Sequence, residues 1–168
     1  MRAFLGIWPD EATRDALDAL ERPAVDDLRW TTRDQWHVTL RFLGELGDHE
    51  VDPLLAALRA EVTGEGRVRC VAGPDTVVLG RRILAVPVAG VDDLARRVLA
   101  VAEPFGSDHP DEPFRGHLTL ARARRRVPAH LVGWPLAATW SSATVDLIES
   151  RLEPGGARYE TVGRVPLH

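Results

Sequence analysis

The tetrapeptide His-x-Thr-Leu occurs twice in this chain, as His37-Val38-Thr39-Leu40 and as His117-Leu118-Thr119-Leu120, and no other feature restricts the fold as tightly. Each copy lies in an apolar, β-prone run, which predicts a strand. Strand alternation sends His and Thr to one face and the apolar residues between them to the other. Each copy therefore offers an imidazole beside a hydroxyl above a face that must be buried. A lone histidine on a strand is more often structural than catalytic. Two histidines with identical spacing to a hydroxyl need a common explanation, and a shared chemical role is the simplest.

Around these strands the chain reads as an irregular alternation. Arg2 to Trp8 is a short apolar strand, and Pro9-Asp10-Glu11 opens a helix whose buried face is Ala16, Leu17 and Leu20, ended by Pro23. Leu28 to Thr31 is a strand entering a turn at Thr32 to Gln35, ahead of the first motif. Val51, Leu54, Leu55, Leu58 and Val62 have the spacing of an amphipathic helix. Val68 to Ala72 alternates as a half-buried strand, and Thr76–Leu79 with Ile83–Val88 flanks a turn at Gly80 to Arg82 as a hairpin. A helix follows with Leu94, Ala95, Val98, Leu99 and Ala102 inward. Phe105 to Arg115 is an irregular loop, the second motif strand follows, and Val127 to Pro135 is a loop or short helical turn. Ala143 to Leu152 and Arg158 to Leu167 form a closing hairpin around Glu153 to Ala157. Hairpins mixed with helices predict an α+β fold of mainly antiparallel sheets rather than a doubly wound parallel one. Two halves, each centred on one motif, predict a bilobal, pseudo-symmetric molecule with a cleft between lobes.

The length of 168 residues fits one two-lobed domain spanning 1–168. No apolar run approaches the roughly 18 residues of a membrane span, and the N-terminal run is too short for a signal sequence, so a cytoplasmic protein without membrane association is expected. The single Cys70 has no partner for a disulfide and is expected to be a small buried hydrophobe. A net charge of −4 gives the whole molecule no attraction to a polyanion, so affinity for nucleic acid must be local. All 21 basic residues are arginine, whose planar fork grips phosphate, although a coding preference of the source genome accounts for the bias more simply. No long apolar surface stripe demands a partner, and a monomer is expected.

Two imidazoles facing one cleft suit acid–base catalysis on a phosphoester, because one can take a proton while the other gives one. The hydroxyls of Thr39 and Thr119, on the same strand faces, can each donate to a nonbridging phosphate oxygen. This chemistry needs neither metal nor other cofactor, and two histidines without a third ligand make a poor zinc site. His49, His109, His130 and His168 lie in loops or termini and are expected to be solvated. The run Arg122-Ala123-Arg124-Arg125-Arg126 follows a motif strand and is either a phosphate or RNA contact or a solvated loop. Trp8 is a candidate for base stacking, with the other tryptophans in core or rim packing. Phe42, by alternation, shares the core face of Val38 and Leu40.

Together the motifs resemble the two-histidine phosphoesterase superfamily, and within it the RNA 2′,3′-cyclic phosphodiesterases, also called 2′-5′ RNA ligases. The resemblance runs through Met1-Arg2-Ala3-Phe4, Leu28-Arg29-Trp30, His37 to Gly44, Phe114 to Arg122, and the closing strands at Leu147 to Leu152 and Tyr159-Glu160. It implies a bilobal α+β fold with one motif from each lobe, and metal- and ATP-independent hydrolysis of RNA 2′,3′-cyclic phosphate ends to 2′-phosphate ends, with reversible 2′-5′ ligation. By position it implies His37 and His117 as the catalytic pair, Thr39 and Thr119 as phosphate donors and Arg122 as a further phosphate contact. His117 is assigned as proton acceptor for water and His37 as proton donor to the leaving 3′ oxygen. Expected partners are RNA ends or small nucleotides bearing a cyclic phosphate.

Two features depart from the resemblance. Gly116 stands where the family usually has Pro, and is expected to loosen His117. Strict alternation puts Arg122 on the face opposite His117, so it reaches a phosphate only if the strand bends. Two rival functions use the same motifs: a phosphodiesterase for a small cyclic nucleotide or a 2′-5′ oligonucleotide, and a low-turnover RNA-end-binding protein.

Overall fold

The structure, a computed structural model, describes residues 1–168. Ten strands and three α-helices follow one another as β1 (Arg2–Ile7), α1 (Glu11–Asp18), β2 (Leu28–Trp30), β3 (Val38–Glu45), α2 (Asp48–Val62), β4 (Val68–Ala72), β5 (Val77–Leu79), β6 (Ile83–Ala89), α3 (Asp92–Ala102), β7 (His117–Ala123), β8 (Ala138–Ser142), β9 (Thr144–Glu153) and β10 (Gly156–Pro166). Short 3₁₀ turns occur at Arg33–Gln35 and Ala129–Leu131. The expected α+β architecture holds: every strand pair is antiparallel, in two sheets.

The lobes are not the two halves of the sequence. One sheet has the order β10-β9-β1-β3, so the C-terminal hairpin completes the lobe of the first motif. The other has the order β2-β7-β6-β4-β8, with β5 paired to β6, so an N-terminal strand edges the lobe of the second motif. The exchange adds two strands to the first lobe and one to the second. A hydrophobic cluster of 35 buried residues runs through both sheets and the helices. Helix α2 packs on α3 and β10, α3 packs on β3, and α1 packs against β8.

Three local readings change. In α1, Ala16 is exposed and Thr13 joins Leu17 on the buried face, because the Asp10 carboxylate caps the Thr13 amide at 2.8 Å and sets the first turn. That helix ends at Asp18, before Pro23. Strand β8 is one that the sequence pattern does not disclose; its inward residues are only Trp140 and Ser142, too short an alternation to read alone.

The motif strands share a defect. In β3, Leu5 faces Arg41 and Gly6 faces Thr39, so Leu40 has no opposite number. In β7, Leu84 faces Ala121 and Ala85 faces Thr119, so Leu120 has none. Each motif thus ends in a β-bulge at its leucine, with that leucine and the next residue buried together: Leu40 with Arg41, and Leu120 with Ala121. A bulge reverses the alternation downstream. Phe42, expected in the core, therefore turns outward and is 37% exposed. Arg122, at the same place in the second motif, turns to the face of His117 and Thr119.

Candidate functional site

His37 precedes β3, and His117 begins β7. Each imidazole is held in the same way: Nδ1–H of His37 donates to the Gln35 carbonyl at 2.7 Å, and Nδ1–H of His117 donates to the Arg115 carbonyl at 2.7 Å. A carbonyl can only accept, so in the neutral ring this bond fixes the tautomer and leaves Nε2 with the lone pair. Both imidazoles belong to one cleft, a cavity of about 370 Å³ whose walls also include Thr39, Thr119, Arg122 and Tyr159. All five residues singled out from the sequence converge there.

The two rings have different surroundings. His37 packs between Phe4, with centroids 4.6 Å apart, and Tyr159, which meets it edge-on at 4.8 Å. Trp8 adds an edge at 6.0 Å. Burial in this aromatic nest disfavours the imidazolium and pushes His37 from 6.5 down to about 4; the Gln35 carbonyl opposes the shift, while Arg122 and His117 add to it. Unliganded, His37 is neutral at pH 7, and its Nε2 accepts from the Thr39 hydroxyl at 3.0 Å.

Tyr159 is a site residue that the motifs do not reveal. It comes from β10, more than a hundred residues beyond His37, and only the pairing of β9 with β1 brings it in. Burial pushes its phenol above the usual range. Arg41 also carries a role that the sequence does not disclose. Its guanidinium, buried behind the bulge, donates to the Asp108 carbonyl at 3.0 Å and so ties the loop leading to His117 onto the strand of His37.

Gly116 does not loosen His117. A Cβ there would meet the Val88 carbonyl oxygen at 2.4 Å and Val91 Cγ2 at 2.8 Å, and the Val88 amide donates to the Gly116 carbonyl at 2.8 Å. Close backbone approach, rather than freedom, is what glycine supplies here. Trp36 is fully buried, and Trp8 lines a larger concavity of about 820 Å³ beside the cleft that contains neither histidine. Two of its arginines are paired, Arg164 with Asp146 and Arg158 with Glu153, and with no imidazole in its walls its size does not make it the reacting site. His49, His109, His130 and His168 are exposed, and Cys70 is buried with its thiol pushed up to about 12. No three His, Cys, Asp or Glu side chains are grouped as metal ligands, and no helix is long and apolar enough to cross a membrane.

A two-sheet α+β fold with one His-x-Thr strand from each sheet defines a class, and comparison with known proteins agrees. Residues 6–70 match the family model described as LigT like phosphoesterase. TT0787 of Thermus thermophilus has the same fold over 99% of this chain and 98% of its own, with 26% identity and a TM-score of 0.85. Escherichia coli LigT, solved with 3′-AMP, aligns over 99% of this chain and 97% of its own at 22% identity, with a TM-score of 0.79. The MHV ns2 PDE domain is more distant, at 12% identity and a TM-score of 0.58 over 96% of this chain and 100% of its own. A search of curated protein sequences finds no match. The family match lies in residues 6–70 and the shared fold extends along the whole chain, so the protein is similar to the LigT-like phosphoesterases.

Proposed function

We propose that the protein hydrolyses RNA 2′,3′-cyclic phosphate ends to 2′-phosphate ends without metal or ATP, and that the same transfer with an RNA 5′-hydroxyl in place of water reversibly joins RNA through a 2′-5′ linkage. The observation that carries this reading is the matched pair of imidazoles in one cleft, each with Nδ1–H tied to the carbonyl two residues back and the lone pair left on Nε2. Crystals of E. coli LigT complexed with 3′-AMP, NADP⁺ and ATP support a nucleotide-containing substrate.

In the proposed step, His117 Nε2 removes a proton from water as its oxygen bonds to phosphorus. The bond from phosphorus to the 3′ oxygen breaks, and His37 Nε2–H protonates that oxygen. Thr39, Thr119 and Arg122 hold the nonbridging oxygens, whose charge grows in the transition state. The donor role requires a charged His37, although the unliganded ring is neutral. The bound phosphate anion supplies the missing counter-charge, offsetting the burial and the Arg122 cation that otherwise keep the proton away. Protonation of His37 is therefore coupled to substrate binding.

The test is incubation of the purified protein, in EDTA and without ATP, with a short RNA ending in a 2′,3′-cyclic phosphate, followed by identification of the product end. A 2′-phosphate is expected. A 3′-phosphate would reverse the leaving group and overturn the assigned geometry. No product with binding retained would favour the small-nucleotide or binding-protein alternatives.

A further inference from the structure

The β9–β10 hairpin outruns its sheet. Strand β1 pairs with β9 only as far as Glu149, so beyond that point the two hairpin strands form a ladder only with each other. A two-stranded ribbon alone is marginally stable in water. This one carries at its base Tyr159, opposite Ser150, whose ring meets His37 edge-on at 4.8 Å. Something outside the sheet must hold the ribbon against the cleft.

Among the hydrogen bonds of residues 151–159, one comes from outside the hairpin: Gln35 Nε2–H donates to the Ala157 carbonyl at 2.7 Å. Gln35 is also the residue whose main-chain carbonyl accepts from His37 Nδ1–H at 2.7 Å. Its Oε1 accepts from the Thr32 amide at 3.0 Å and closes the turn before the motif. That turn is itself anchored, because the Arg33 guanidinium is paired with Glu11, Asp15 and Asp18 of α1. Gly156, at a φ of +116°, lets the ribbon come close: a Cβ there would lie 3.3 Å from Gln35 Nε2 and 3.1 Å from the Arg29 guanidinium. One side chain thus joins the strand of the first imidazole to the hairpin that supplies its aromatic wall.

We infer that Gln35 is a positioning residue for His37: its carbonyl orients the imidazole while its side-chain amide fastens the ribbon that lays Tyr159 against the ring. The inference rests on the proposed role of His37 as proton donor and adds the residue that holds its surroundings together. Charged or titratable groups sharing a concavity with His37 include Arg2 on β1, Arg29 on β2, His117 and Arg122 on β7, Glu153 on β9 and Tyr159 on β10. Only the last two ride on the hairpin. Release of the ribbon would let water reach the ring and would withdraw the exposed Glu153 carboxylate. Burial is the largest influence on His37, so rehydration decides the sign and its pKa rises.

The test is Gln35→Met, of similar length and uncharged, which removes both side-chain bonds and keeps the main-chain carbonyl. Histidine NMR titration of the folded variant should show His37 raised from about 4 by about one pH unit. Its kcat on an RNA 2′,3′-cyclic phosphate should fall on the order of tenfold. Tyr159→Leu should raise His37 by itself, and Gln35→Met added to it should raise it no further. A lower thermal midpoint with an unchanged His37 titration would mean that Gln35 only closes its turn, and would overturn the inference, as would additive shifts in the double variant. Should Gln35→Met fail to fold, Gly156→Ala disturbs the same contact from the hairpin side, and its His37 titration decides in the same way. Absence of turnover in the wild type would sink the proposed function alone, because the titration needs no substrate.

Discussion

The Thr31 hydroxyl donates to the carbonyl oxygen of Thr119 at 2.7 Å, joining the strand before the first motif to the interior of the second. That hydroxyl oxygen in turn accepts from the indole Nε1–H of the buried Trp36 at 3.0 Å, and the Thr31 amide donates to the carbonyl of the bulged Leu120 at 2.8 Å. Trp36 adjoins His37 and Thr119 shares a strand with His117, so one threonine sets the spacing between the two imidazoles. Thr31→Val would leave the indole N–H buried without an acceptor, at a cost of about 1–3 kcal/mol. Urea unfolding should show that loss and turnover should fall with it, while Thr31→Ser should restore both.

Removing either proton-transfer group should remove most of the activity. His37→Ala and His117→Ala are each expected to lower kcat by about 10²–10⁴-fold on an RNA cyclic phosphate, with far-UV circular dichroism unchanged. Near-wild-type rates in either variant would refute the paired mechanism.

The low pKa of His37 has a consequence for folding. Its folded value of about 4 lies below the ordinary 6.5, so between those values the unfolded chain binds a proton that the native state refuses. Stability therefore rises with pH through that window and is lost as pH falls from 6.5 toward 4. His37→Gln should flatten the pH dependence of the thermal midpoint across that interval. Histidine NMR titration should place His37 near 4 in the free protein and move it upward when inorganic phosphate occupies the cleft.

Gly116 is predicted to be intolerant. The Val88 carbonyl that its Cβ would meet at 2.4 Å is sheet backbone and cannot rotate away. Gly116→Ala should cost about 1–3 kcal/mol by overpacking and should lower kcat/KM by displacing the start of β7. Calorimetric unfolding at neutral pH would register the cost, and an unchanged midpoint would mean that the strand start has room to shift.

Much of the architecture was legible because it is written at short range. Val51 through Val62 carries its own period, and helix α2 follows it. The His and Thr of each motif share a face because two residues along an unbroken strand always do. Gln35 and Arg115 were not legible as tautomer-setting groups, because a carbonyl acceptor leaves no mark in residue type.

Phe42 and Arg122 show where local reasoning stops. Alternation put both on the wrong face, because whether a strand bulges depends on how many residues its partner offers across the ladder, and those partners, β1 and β6, lie elsewhere in the chain. Tyr159 reaches His37 only after β9 has paired with β1, and Arg29 comes to face Arg122 only once β2 has joined the sheet of β7. Sequence alone determined the paired imidazoles and hydroxyls, since their alignment needs nothing beyond the pleat of a single strand. Tertiary structure decided what surrounds them, because every other wall of the cleft comes from pairing between distant segments, and that pairing is selected by burial of the common core rather than by any residue's neighbours along the chain.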